Sequence, residues 1–393
     1  MKPIVRPAAI AGLLALACAS RPPEVPEPLL ALMNREVQLP PAVDVATSDG
    51  ALHARVAGRL TGDFAKNAKG YLGTFAIGTQ TPVMCQVFDE AKDPASALVA
   101  MSDSLFTEIA GKKKVEDREI LGVDAGHTGA DPYLGVDWIA KLDGAAHQIK
   151  QKVGNRGARS LYCVHDEPGY AASFDRFFAG FLASLEEPGD QAPMQYRDVA
   201  VLKIAGNEVG FQTVRVLRMS DGNYRTVTQS SLLVPASSDQ LLASDDYSSE
   251  LSRPDGSVIS EMRITSDGKD LTQLELSRAK GTWEVKGKMQ GKDVSERFAK
   301  PEALVSALDE NRRMLRVAHG TAQEQHYFRW LGALSPGKPL EHLMQKTGES
   351  SVRIAVGSLQ MDAEVDDRSA ARGSMKIGRM QIDIERTYVD GSL

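Results

Sequence analysis

The hydrophobic positions of this chain change their spacing along its length. An apolar run over residues 8–17 and a proline-rich stretch over residues 21–44 come first. Helical and alternating spacings then mix, and from about residue 195 alternation prevails. Between residues 45 and 187, two segments carry the helical period. One opens with Asp93 as N-cap and Pro94 at the first helical position, and Leu98, Met101, Leu105 and Ile109 then fall on one face. The other follows Gly169 and aligns Phe174, Phe177, Phe178, Phe181, Leu182 and Leu185, an apolar face wide enough for a core helix. Residues 118–123, 133–142, 147–153 and 159–165 read as strands. Gly122, Gly126, Gly129 and Gly135 around His127 read as a long loop, since they match neither a G-x-G-x-x-G spacing nor a helix start.

Residues 188–194 punctuate the chain with Pro188, Gly189 and Pro193. Beyond them, strand-like segments at 198–204, 210–219, 224–234, 248–253, 257–265, 271–278 and 282–289 follow one another closely. Asp221-Gly222, Asp255-Gly256 and Asp267-Gly268 stand between them as hairpin signals. One helix is expected over 301–317, and strands return at 327–331, 351–364 and 374–388. The expected fold class is α+β: an N-terminal α/β sandwich with a mostly antiparallel sheet over 45–187, then, over 195–393, an antiparallel curved sheet or half-barrel with one helix. Whether that half-barrel encloses a cavity stays open, because in residues 224–230 Arg225, Val227 and Gln229 alternate with Thr226, Thr228 and Ser230.

Composition narrows the function classes. The chain has 393 residues, 42% hydrophobic and 25% charged, the balance of a globular protein long enough for two domains. Its formal charge of −6, or −8 without Lys2 and Arg6, and the absence of a basic block argue against nucleic acid as a partner. Lys112-Lys113-Lys114 is followed at once by acidic residues and reads as a solvated loop.

The leader sets the compartment. Lys2 and Arg6 precede the apolar run, which ends Ala15-Leu16-Ala17-Cys18-Ala19-Ser20, a secretory pattern. Residues 1–18 resemble the bacterial lipoprotein signal, although Leu16 occupies a place usually held by a small residue. The resemblance implies that Cys18 is diacylated and becomes the new N-terminus, and Ala19 in place of Asp implies the outer membrane, facing the periplasm. Ala17-Cys18-Ala19 also reads as an ordinary cleavage site, which would release a soluble periplasmic or secreted product. Residues 19–44, with Pro22, Pro23, Pro26, Pro28, Pro40 and Pro41, read as a semi-rigid tether.

With Cys18 acylated, two thiols remain, and in an oxidising compartment Cys85 is expected to pair with Cys163; two buried free thiols are the alternative. No metal-ligand spacing, phosphate loop or nucleophile elbow occurs, so no catalytic residue, metal or cofactor is assigned. His165-Asp166-Glu167 is the densest polar cluster and reads as a helix-capping turn; a hydrolase using the carboxylates Asp166 and Glu167 is the alternative function. For ligand binding the sequence offers His326, Tyr327 and Trp330, a polar-aromatic patch after the late helix, which a half-buried strand end also explains.

Two further resemblances are architectural. The strand ending near Cys85, the helix after it, the following strands and the closing segment from Gly169-Tyr170 through Phe174, Phe177 and Ser184-Leu185 resemble the PsbP-like fold of small envelope lipoproteins and photosystem accessory proteins. The long antiparallel strands with one helix, and the turn Gly206-Asn207-Glu208-Val209-Gly210, resemble the LolA/LolB half-barrel that carries lipoproteins. Both imply binding roles. The expectation is a non-enzymatic envelope protein, membrane-anchored through its N-terminus, that binds a lipidic ligand or an envelope partner protein.

Overall fold

The computed structural model describes residues 25–186, 192–268, 270–320, 322–332, 334–377 and 380–393. The expected signal segment, Cys18 and most of the expected linker lie outside the described residues. By contact the described chain divides into two compact units, residues 25–186 with 233–243, and residues 192–232 with 244–393.

In the first unit, β1 (Val43–Ala46) and β2 (His53–Val56) form a hairpin. β3 (Arg59–Leu60), β4 (Ala65–Asn67), β5 (Gly70–Ala76) and β6 (Val83–Phe88) lead to helix Pro94–Ala110. β7 (Val115–Thr128), β8 (Asp131–Leu142), β9 (Ala145–Arg156) and β10 (Arg159–Asp166) then lead to helix Ala171–Ser184. β3 to β10 make one antiparallel sheet in the order β3-β5-β6-β10-β9-β8-β7, with β4 paired to β5.

Helix Ala171–Ser184 forms on the phenylalanine stripe that the sequence indicates. Phe174, Phe177, Phe178 and Phe181 are fully buried with Phe64, Phe75, Val83, Val87 and Leu161. At about 2–3 kcal/mol per large apolar side chain, these rings supply much of the driving force for this core. Helix Pro94–Ala110 also forms, but its stripe sits one position away from the expected one. Leu98, Ser102 and Phe106 are buried, whereas Met101, Leu105 and Ile109 are only half-buried. Ser102 Oγ donates to Gln151 Oε1 at 2.6 Å, and the Phe106 ring meets Trp138 edge-on at 5.3 Å. A hydrogen bond and an aromatic contact thus set the rotation that aliphatic spacing alone had placed elsewhere. The glycines around His127 belong to the β7–β8 hairpin rather than to a long loop. Residues expected in the tether lie against this unit: Val37 N donates to Ser173 Oγ at 2.9 Å and Tyr170 N to Arg35 O at 2.7 Å.

The second unit opens with β11 (Met194–Ile204), β12 (Asn207–Arg218), β13 (Tyr224–Pro235), β14 (Leu241–Ser252), β15 (Val258–Asp267), β16 (Asp270–Ala279), β17 (Thr282–Met289) and β18 (Lys292–Phe298). Helix Ala307–His319 follows. β19 (Glu324–Arg329), β20 (Leu340–Lys346), β21 (Ser351–Val356), β22 (Leu359–Val365), β23 (Ala370–Ile377) and β24 (Met380–Gly391) complete it. These strands form a single sheet in the order β18-β17-β16-β15-β14-β13-β12-β11-β24-β23-β22-β21-β20-β19. Gly222, Gly256 and Gly268 take positive φ at the three expected hairpin turns.

The sheet must curl. β14 and β19 stand nine places apart in its order, a separation of roughly 40 Å in a flat sheet. Arg329 on β19 nevertheless lies 3.7 Å from Glu250 on β14. Residues 304–306 help to hold the curl, with Val258 N donating to Leu304 O at 3.0 Å and Val305 N to Phe328 O at 2.9 Å. The half-barrel expectation agrees with this geometry.

The expected fold class as a whole does not hold. The described residues are mostly β, 56% strand against 13% helix, rather than a balanced α+β arrangement with an α/β sandwich at the N-terminus. Both helices expected in the first unit exist. The hairpin strands β7, β8 and β9, each at least twelve residues long, and the early strands β1 to β4 outweigh them. The late helix starts at Ala307, six residues after the expected Pro301, because residues 304–306 are drawn into backbone pairing.

Candidate functional site

The three expected ligand residues do not converge. Successive strand residues point to opposite faces, and on β19 this separates His326 from Tyr327. His326 is exposed, with Nε2 3.1 Å from Glu324 and Nδ1 3.0 Å from Glu341. Its pKa is raised by hydrogen bonds to those two carboxylates. Tyr327 is buried, and its hydroxyl donates to Glu310 Oε1 at 2.7 Å. Trp330 packs with Val258, Leu274, Trp283 and Leu304, and its Nε1 donates to Pro336 O at 3.0 Å. Trp283 is core, as its alternation with Val285 indicates. Cys85 and Cys163 form a disulfide at directly opposed positions of β6 and β10, both fully buried.

Tyr327 leads to a charged network that sequence reasoning missed. Glu310 projects from helix Ala307–His319 onto the sheet, where it takes hydrogen bonds from Tyr327, from His342 Nδ1 at 3.0 Å and from Arg329 Nη1. Burial pulls its carboxyl up, but the Arg329 charge and the hydrogen bonds from His342 and Tyr327 outweigh that and hold it at about 2. Arg329 also reaches Glu250, whose Oε1 accepts from Ala307 N, the first amide of the helix, at 2.8 Å. Glu250 stands directly opposite Glu261 in the β14–β15 register, and the two are 3% and 5% exposed. Burial holds both well above the usual carboxylate range, Glu250 furthest, at about 8; the Arg329 charge lowers Glu250 and the facing Glu261 raises it, whereas Arg263 and then Arg329 lower Glu261. On the same face, Arg263 forms a two-pronged pair with Asp246 at 2.9 and 2.6 Å. The helix cap completes the site: Ser306 Oγ accepts from Asp309 N at 3.0 Å, and Asp309 holds Arg313 and Arg316.

The first unit has its own buried polar cluster beneath helix Ala171–Ser184. Lys152 pairs with Asp124 and, at 3.1 Å, with Asp175 on that helix. Lys150 donates to Glu167 O at 2.5 Å, and burial lowers it to about 8. Asp137 accepts from Gln148 at 3.1 Å, and burial pushes it up to about 6. Asp166 and Glu167 do not act as a pair. Asp166 meets His147 at 3.2 Å, whereas Glu167 accepts from Thr81 N at 2.7 Å. His165 is buried against Phe174, and burial lowers it to about 4. Among the described residues, no group of three or more His, Cys, Asp or Glu is placed to hold a metal ion.

A third feature is apolar. Cross-strand pairing puts Leu202 and Ile204 of β11, Ile382 and Ile384 of β24, and Met375 and Ile377 of β23 on one sheet face. Leu202, Met380 and Ile382 are buried there, the others half-buried, and helix Ala307–His319 contributes no residue to this cluster. The helix instead packs through Met314, Val317 and Ala318 onto Tyr327, Met344, Val352, Ile354, Ala363 and Val365. Two shallow surface depressions, of about 460 and about 650 Å³, flank β1 in the first unit, and neither includes a residue of these clusters.

No protein-family model matches the chain, and no curated protein matches it. Among solved structures it is similar to a beta-barrel-like protein of a domain of unknown function, DUF1849, from Brucella abortus. The alignment has 8% identity, covers 51% of this chain and 98% of that one, and has a TM-score of 0.39. A likeness of that size carries no argument about function.

Proposed function

We propose that this chain is a non-enzymatic cell-envelope lipoprotein whose half-barrel unit binds a lipidic ligand. The observation that carries the reading is the half-buried strip of Ile204, Met375, Ile377 and Ile384 around the buried Leu202 and Ile382, which lies on the helix-bearing face of a curled sheet and takes no residue from the helix. A half-buried aliphatic surface inside a curved sheet suits an acyl chain, which gains by leaving water and asks for no hydrogen bonds. The buried disulfide supports an oxidising compartment, consistent with the leader and with an N-terminal lipid at Cys18. Architectural resemblance to the half-barrel carriers of lipoproteins points the same way. The hydrolase alternative draws no support from Asp166 and Glu167, which engage different partners.

The test is native mass spectrometry of protein extracted gently from its own membrane, with Ile384→Asp as the comparison. A co-purifying lipid that the variant loses supports the reading. Acylated protein without any ligand, in both forms, would sink it and direct the search to a partner protein.

A further inference from the structure

We propose that the opposed carboxyls Glu250 and Glu261 form a proton-operated latch for helix Ala307–His319: one proton held in the pair seats the helix, and its loss loosens the helix N-terminal end. The geometry gives the pair three roles at once. Glu250 accepts the first amide of the helix, Ala307 N, through one oxygen and faces Arg329 at 3.7 Å with the other. Glu261 stands across from it on the neighbouring strand, equally shut off from water. Glu310 draws on the same guanidinium from the helix side.

The charges around the pair do not balance when all three carboxyls ionise. On β14, Asp246 is committed to Arg263 of β15. On the helix, Arg313 and Arg316 are committed to Asp309. β19 contributes Tyr327 and Arg329, and β20 contributes His342, whose Nδ1 is held by Glu310. Arg329 thus pairs with two carboxyls, Glu250 and Glu310, and Glu261 depends on the charges of Arg263, which Asp246 already holds, and of Arg329. Glu310 has three donors and stays ionised, so the proton resides in the pair, where two facing negative charges in a water-poor site are disfavoured. A group whose acid form is favoured by folding contributes stability at low pH and loses it as pH rises through its folded-state pKa. The bond from Ala307 N by itself favours an ionised Glu250, so what opens the latch on the alkaline side is the repulsion of Glu250 by Glu261 and by Glu310 on the helix; its axis is short, since the β14–β15 turn packs directly beneath Asp309.

This inference does not rest on a lipid ligand, and its test uses none. Hydrogen exchange of the full chain, followed by mass spectrometry from about pH 6 to about pH 9 and corrected for intrinsic exchange, reads the helix directly. The expected result is a fall of about tenfold in protection of the helix amides, while β5 in the other unit keeps its protection. Glu250→Gln should keep the helix protected throughout. Should that variant not fold, Glu261→Gln removes the opposing charge and should flatten the profile likewise. Constant helix protection in the wild type, or an equal fall in the foldable variant, overturns the proposal.

Discussion

Glu310 shows how much a single carboxylate carries here. It holds a tyrosine hydroxyl, an imidazole and a guanidinium, which come from two neighbouring strands onto which its own helix packs. Removing one partner of such a network leaves the others desolvated and unpaired, so Glu310→Ala is expected to cost about 3–5 kcal/mol. Urea unfolding of the two proteins checks this, and a loss below about 1 kcal/mol would mean that the contacts are replaced by water. The carboxyl is held at about 2, below its usual 4.5. Its contribution is therefore present above about pH 4.5 and lost as pH falls towards about 2. The urea midpoint gap between wild type and Glu310→Gln should accordingly be wider at about pH 5 than at about pH 3. None of this was legible in the sequence. Glu310 sits among Asp309, Asn311, Arg312 and Arg313 and reads as part of a solvated helix face.

At the scale of elements, spacing located strands and helices well and their inward faces less well. β15 makes the point. Met262 and Ile264 alternate with Glu261, Arg263 and Thr265, and the ordinary assignment turns the aliphatic residues inward and the charges outward. The structure turns Glu261 and Arg263 towards Arg329 and Asp246, because the carboxyls and guanidiniums neutralise one another across strands. The sign that such a face exists was the pairing of charge with charge, Asp246 and Glu250 in one strand against Arg263 in the next, which becomes visible only once register is known. Helix Ala307–His319 depends on two local devices. Ser306 caps it, and Ser306→Ala should cost about 1 kcal/mol. Gly256 in the turn beneath it has φ of 85°, and a Cβ there would lie 2.4 Å from Asp309 Cβ. Gly256→Ala should cost more than the cap, since the added methyl meets both an unfavourable backbone and the helix. Thermal unfolding of the two variants ranks them, and the reverse order would show that the turn yields more readily than the cap.

For the whole molecule, the disulfide and the proposed N-terminal anchor make separate predictions. Cys85 and Cys163 are 78 residues apart and close a large loop across the core sheet of the first unit. Reduction, or Cys85→Ala with Cys163→Ala, is expected to destabilise that unit by about 4 kcal/mol in the chain-entropy account. A urea midpoint unchanged under reductant would contradict it. Cys18→Ser is expected to move the protein from the membrane to the soluble fraction, and membrane retention of the variant would refute the anchor. The sequence by itself determined what depends on neighbours along the chain: the two helical segments of the first unit, the alternating strands, the Asp-Gly turns and a β setting for Cys85 and Cys163. Only the tertiary structure decided which alternate face lies inside, how far helix Pro94–Ala110 is rotated, and that β11 pairs with β24 from the far end of the chain. Those outcomes rest on contacts between residues distant in sequence, where a buried charge is tolerated if its partner arrives from another strand, and hydropathy along one strand does not register that partner.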